Sequence, residues 1–166
     1  VPQQDTIHDR LTVREALACS AVLRLPSDTS GEEIVAEAES VAAELSLTPC
    51  LDLLIEKLSG GQRKRTACAV ELIGEPSLLL LDEPTSGLDA VAQRSLTEVL
   101  HELAAAGRAV MVSTHDVEFV AATADRVVVL AQGEVVSDGP TAEVVVASPA
   151  FAPQVAKVLA PAPWLT

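Results

Sequence analysis

The chain has 166 residues, enough for one compact domain, and 49% of them are hydrophobic although it holds only two Phe, one Trp and no Tyr, so its core must be aliphatic. Its 24 acidic residues outweigh 11 basic ones and leave a formal charge of -13, which repels phosphate backbones and excludes general nucleic-acid binding as an expectation. Cys19, Cys50 and Cys68 lack metal-ligand spacing and read as reduced, buried thiols in a cytosolic setting; no apolar run approaches the ~20 residues of a membrane span.

The opening Val1-Pro-Gln-Gln-Asp lacks the charged lead and apolar stretch of a signal peptide, and it reads as the middle of something longer. Two capping-box patterns follow. Thr12-Val-Arg-Glu15 predicts a helix running to about Leu25, where Pro26 stops it. Ser30-Gly-Glu-Glu33 predicts a second, with Ile34, Ala38, Val41 and Leu45 on one face. Residues 63–73 read as a third helix, closed by Gly74 and Pro76. Lys64 and Arg65 are expected on its solvated face.

The pattern then changes. Leu78-Leu79-Leu80-Leu81 predicts a strand buried on both faces. A helix is expected over 90–105, with Ala92, Leu96, Val99, Leu100 and Leu103 aligned. A strand follows at 109–113, a helix at 117–124, and strands at 126–131 and 134–137 turned by Gln132-Gly133. Asp138-Gly139-Pro140 should break the chain before a short helix at 142–147. Alternating strands and helices call for an α/β fold with a mainly parallel sheet. The proline-rich tail, 148–166, is expected to be extended and loosely held.

Three segments carry the chemistry: Leu58-Ser59-Gly60-Gly61-Gln62, then Leu78-Leu79-Leu80-Leu81-Asp82-Glu83-Pro84, then Ser113-Thr114-His115-Asp116. Ser59 at a helix start, followed by two glycines, offers free N–H groups at the positive end of a helix dipole, and glycine lets a phosphate come close. An ordinary cap completed by Gln62 explains Ser59 and Gln62 but not the glycines. Asp82 and Glu83 end a strand where α/β sheets bind ligands; one carboxylate there can hold Mg2+ and a second can orient water. Asp89 is well placed to cap the next helix. His8 and His101 have no such context and read as surface residues.

Together these segments resemble the ATP-binding-cassette (ABC) family over almost the whole chain. Residues 58–62 are similar to its signature motif, 78–84 to Walker B, 86–89 to the D-loop, and His115 to the switch histidine. Gln3, or less well Gln4, is similar to the Q-loop glutamine. The resemblance implies a P-loop NTPase fragment at 1–147, with a helical subdomain at 12–75 and an α/β core at 76–147. It implies ATP and Mg2+ as cofactors, with Asp82 and Gln3 serving the metal. Ser59, Gly60, Gly61, Gln62, Gln3 and Asp89 would meet nucleotide, Glu83 would be the general base, and His115 would reach the γ-phosphate.

The family further implies a second ATPase domain in an ATP-sandwiching dimer, and transmembrane transporter subunits. It places the chain on the cytoplasmic side of the membrane. The phosphate loop, Gly-x-x-x-x-Gly-Lys-Ser/Thr, occurs nowhere in these 166 residues, so ATP hydrolysis by them alone is not expected. Unpaired strand edges and an exposed apolar slot are. The first half resembles White-type exporters, and the second resembles ATPases of energy-coupling-factor importers. A transport ATPase, an inactive remnant or chimera, and a soluble non-transport ABC protein therefore all stay open.

Overall fold

The computed structural model describes residues 1 and 7–147; Gln3, Gln4 and the 148–166 tail lie outside the described residues. The chain divides into two compact units, Val1–Ser113 and Thr114–Thr166. In the first, α1 (Val13–Arg24), α2 (Gly31–Glu44) and α3 (Gly60–Leu72) precede β1 (Leu78–Asp82), α4 (Ala90–Ala105) and β2 (Ala109–Ser113). The second holds α5 (Val117–Thr123), β3 (Arg126–Ala131), β4 (Glu134–Pro140) and α6 (Thr141–Ala147).

Both expected capping boxes form. The Thr12 N–H donates to the Glu15 carboxylate at 2.8 Å, and the Glu15 N–H donates back to the Thr12 hydroxyl at 3.2 Å. Ser30 and Glu33 repeat this at 2.7 and 3.3 Å. The three helices close on an aliphatic core that includes Val13, Leu17, Val41, Leu45, Ile55 and Leu72. Polar contacts join them at the rim: Arg14 reaches Glu39 and Asp52 at 2.6 and 2.9 Å, and Arg24 reaches Glu71 at 2.5 Å.

Helix α3 begins at Gly60 rather than at residue 63, because Ser59 caps it. It packs against α1, α2 and α4, so more than one of its faces is covered. This overturns the expected solvated face: Lys64 is buried, and Arg65 donates to the Ser95 hydroxyl at 2.5 Å. Of the cysteines, Cys50 and Cys68 are buried, but Cys19 is exposed on α1.

Strands β1 and β2 pair in parallel, from Leu78 opposite Ala109 to Asp82 opposite Ser113. On the other edge of β1, the Leu80 carbonyl and the Asp82 N–H bond to Val1. The strand is not buried on both faces as its four leucines suggested. Leu79 and Leu81 are covered, whereas Leu78, Leu80 and, on β2, Met111 are 50, 52 and 63% exposed. Side chains alternate across a strand, and only one face of this pair is packed among the described residues.

In the second unit, β3 and β4 form an antiparallel hairpin. Its turn residues, Gln132 and Gly133, both have positive φ (52° and 82°), the conformation that suits the twist of a two-residue hairpin. The expected break at 138–140 does not occur there. β4 runs on to Pro140, opposite Arg126, with proline tolerated because β4 is an edge strand of a two-stranded sheet. Arg126 grips Asp138 through two nitrogens at 2.8 and 2.7 Å.

The Glu15 and Glu33 carboxyls are held below their ordinary value of 4.5 by the backbone N–H groups of Thr12 and Ser30. A depressed folded-state value means that the stabilisation is fully present above 4.5 and is lost as pH falls through the folded values. Helical circular dichroism should therefore hold steady from pH 7 to 5 and decline below about 4.5. In Glu15→Gln/Glu33→Gln, whose caps do not titrate, that acid-side decline should shrink.

Candidate functional site

The start of α3 is a third capping box. The Ser59 N–H donates to the Gln62 side-chain oxygen at 2.9 Å, and the Gln62 N–H donates to the Ser59 hydroxyl at 3.3 Å. It differs from the first two in charge. Glu15 and Glu33 each place a carboxylate in the first turn of their helices, whereas α3 has no acidic residue there. The dipole's positive end is left unneutralised. Gly60 is exposed, and the N–H groups of Gly60 and Gly61 have no acceptor among the described residues. The Gln62 amide nitrogen is also engaged, donating to Cys50 Sγ at 3.1 Å.

The two glycines have different reasons to be glycine. A Cβ on Gly61 would lie 2.9 Å from the Ala92 Cβ of α4, whereas one on Gly60 would meet nothing closer than Leu88 at 3.6 Å. Helix packing thus explains Gly61, and Gly60 is the one left free for close approach by a ligand. The pairing of Gly61 with Ala92 escapes a sequence reading, because nothing local says which small residues will face each other. Gly60 itself lies beside Gly87 and Leu88 of the loop after β1.

That loop starts at Glu83, whose φ of 46° is left-handed, a conformation that is costly for a residue with a side chain. Two backbone bonds hold it: the Glu83 N–H donates to the Ser113 carbonyl at 2.8 Å, and the Ser86 N–H donates to the Glu83 carbonyl at 3.2 Å. Asp82 is exposed and Glu83 half-buried at the C-terminal end of β1. Asp89 closes the loop by accepting from the Ala92 N–H at 2.8 Å, as a helix cap.

The structure therefore brings Ser59, Gly60, Gly61 and Gln62 together with the 87–89 loop, and it sets Asp82 and Glu83 at the loop's other end. His115 is exposed in the second unit, and Gln3 lies outside the described residues. Among the described residues no group of three His, Cys, Asp or Glu side chains could hold a metal. A lone exposed carboxylate such as Asp82 suits Mg2+, which keeps most of its water and takes phosphate oxygens. The uncharged start of α3 suits a phosphate.

Urea denaturation tests both assignments of conformation. Gly61→Ala should destabilise the fold by about 1 kcal/mol, overpacking against Ala92 outweighing alanine's helix preference. Gly60→Ala should be neutral or stabilise by about 0.5 kcal/mol.

Known proteins share this sequence and fold. The family model "ABC transporter" matches residues 1–86, and one for an AAA domain matches 52–121. A Streptomyces avermitilis protein assigned as an ABC transporter ATP-binding protein is 63% identical over 109 residues, covering 66% of this chain and 19% of that protein. The ABC transporter ATP-binding/permease protein Rv1747 of Mycobacterium tuberculosis is 47% identical over 133 residues (80% and 15%). ABC transporter G family member 21 of Arabidopsis thaliana is 38% identical over 150 (87% and 22%). The chain thus spans less than a quarter of these relatives' length. A solved structure of an inward-facing transporter assigned to the metal-chelate ABC type superposes with a TM-score of 0.76 at 27% identity, covering 85% of this chain and 57% of that one. With motifs, fold and relatives in agreement, the chain belongs to the ABC transporter family, as part of its ATP-binding ATPase domain.

Proposed function

We propose that the start of α3 forms one wall of an ATP site, closing over the phosphates of a nucleotide held by the phosphate loop of a second ABC ATPase domain. The observation that carries this is the uncharged cap: of three helices begun by the same box, only α3 lacks a first-turn carboxylate. Its Gly60 and Gly61 N–H groups, with no acceptor among the described residues, can then donate to phosphate oxygens.

In this reading Asp82 would hold Mg2+, directly or through water, and Gln3 would be its second protein ligand. Bound Mg2+ would offset the phosphate charge. Glu83 accepts the proton of the attacking water, and His115 donates to the γ-phosphate. Asp89 keeps the 87–89 loop against the start of α3 and toward the partner domain. ATP would draw the two domains together and hydrolysis would release them, driving transmembrane subunits from the cytoplasmic side of the membrane. No helix among the described residues is long and apolar enough to cross a bilayer.

Gly60→Asp is the sharpest probe. A Cβ at position 60 would meet nothing closer than Leu88 at 3.6 Å, and an acid in the first turn favours the helix while opposing a phosphate. Sedimentation should show Mg·ATP-dependent association with an ABC ATPase domain whose phosphate loop is intact and whose catalytic glutamate is neutralised. Gly60→Asp should weaken that association at least ~tenfold, the cost of a like charge in a desolvated contact. An undiminished complex would sink the proposal.

A further inference from the structure

Residues 9–14 are strapped to residues 51–56 by a short antiparallel ladder. The Val13 N–H donates to Leu53 at 3.2 Å and Arg14 to Leu51 at 2.9 Å; in return Ile55 donates to Leu11 at 2.9 Å and Glu56 to Asp9 at 3.1 Å. Thr12 and Leu54 form the bridge at its centre. This strap leads through Leu58 straight into the cap of α3, and two side chains from the first turn of α3 return to it. Gln62 donates to Cys50 Sγ at 3.1 Å, and Arg63 Nη2 forms an ion pair with Asp9 at 2.5 Å.

Successive residues of an α-helix point about 100° apart around its axis. The Gly61–Ala92 contact sets how closely the first turn approaches α4, and tethers from two adjacent positions resist its rolling about that contact. The Gln62 tether is part-buried. The Arg63 side chain is 27% exposed and that of Asp9 57%, so this second tether contributes little to global stability. Its effect is on orientation. We propose that Asp9 and Arg63 are positioning residues for the start of α3, setting the roll at which the Gly60 and Gly61 N–H groups are presented to an anion.

The tether itself is tested without nucleotide, by amide resonances and hydrogen exchange of the 15N-labelled chain. Asp9→Asn should displace the Gly60 and Gly61 resonances and speed their exchange ~threefold, as expected for loss of a half-exposed pair. Leu79 and Leu81, in β1, should not move. The charge exchange Asp9→Arg/Arg63→Asp should restore both readouts, which a purely local effect of the Asp9 substitution would not allow. Raising NaCl to ~0.5 M should reproduce the Asp9→Asn pattern in the unmodified chain by screening the pair. Unmoved glycines in Asp9→Asn, or no recovery on charge exchange, would overturn the proposal.

A second arm rests on the phosphate reading of α3. In the Mg·ATP association assay, Asp9→Asn should weaken binding ~threefold, and Asp9→Glu, which keeps the pair and adds no acid to the first turn of α3, should recover it. If the unmodified chain shows no Mg·ATP-dependent association, the phosphate reading fails and the amide readouts alone decide the tether.

Discussion

The contact that organises the first unit is the close approach of α3 to α4, where Gly61 leaves no room for a Cβ beside Ala92. Because the helices meet at their first turns, the loop that ends in the cap of α4 must lie beside the cap of α3. That loop is tethered at its other end to β1. Residues that are distant in sequence, 59–62 and 82–89, thereby become parts of one surface, and a single missing methyl group makes it possible. Below the contact, Leu96, Val99, Leu100 and Leu103 bury the inner stripe of α4 and fix its direction.

A second constraint acts where β1 ends. The chain leaves the strand through a left-handed turn at Glu83, held by the carbonyl of Ser113 at the same end of β2. Local strain of this kind persists only where surrounding structure enforces it, and it is concentrated at functional positions. Here the parallel pairing does the enforcing. The register that aligns Asp82 with Ser113 also brings the Ser113 carbonyl within reach of the Glu83 N–H. Strand pairing and carboxylate placement are thus one geometric fact.

What the sequence revealed was what local chemistry determines. The caps at Thr12, Ser30, Ser59 and Asp89 and the aligned apolar residues of α2 and α4 needed no tertiary information, since each interaction spans three or four residues. What it concealed depended on partners. Four consecutive leucines in β1 say that the strand is apolar but not which face is covered. The charges of Lys64 and Arg65 suggest solvent, yet α3 is hemmed in on several sides. Cys19 looks like a core thiol until α1 is given its orientation. The glycines at 60–61 both suggest close approach by a ligand, but packing accounts for Gly61, and only the facing helix shows it.

The uncovered face of the β1–β2 pair has a thermodynamic consequence. Leu78, Leu80 and Met111 already meet water in the folded state, so unfolding wets less new apolar surface than the composition suggests. The heat-capacity change of unfolding scales with that newly wetted surface. Three half-wet side chains lower it by on the order of 0.1 kcal/mol/K, a small reduction in the curvature of the stability curve.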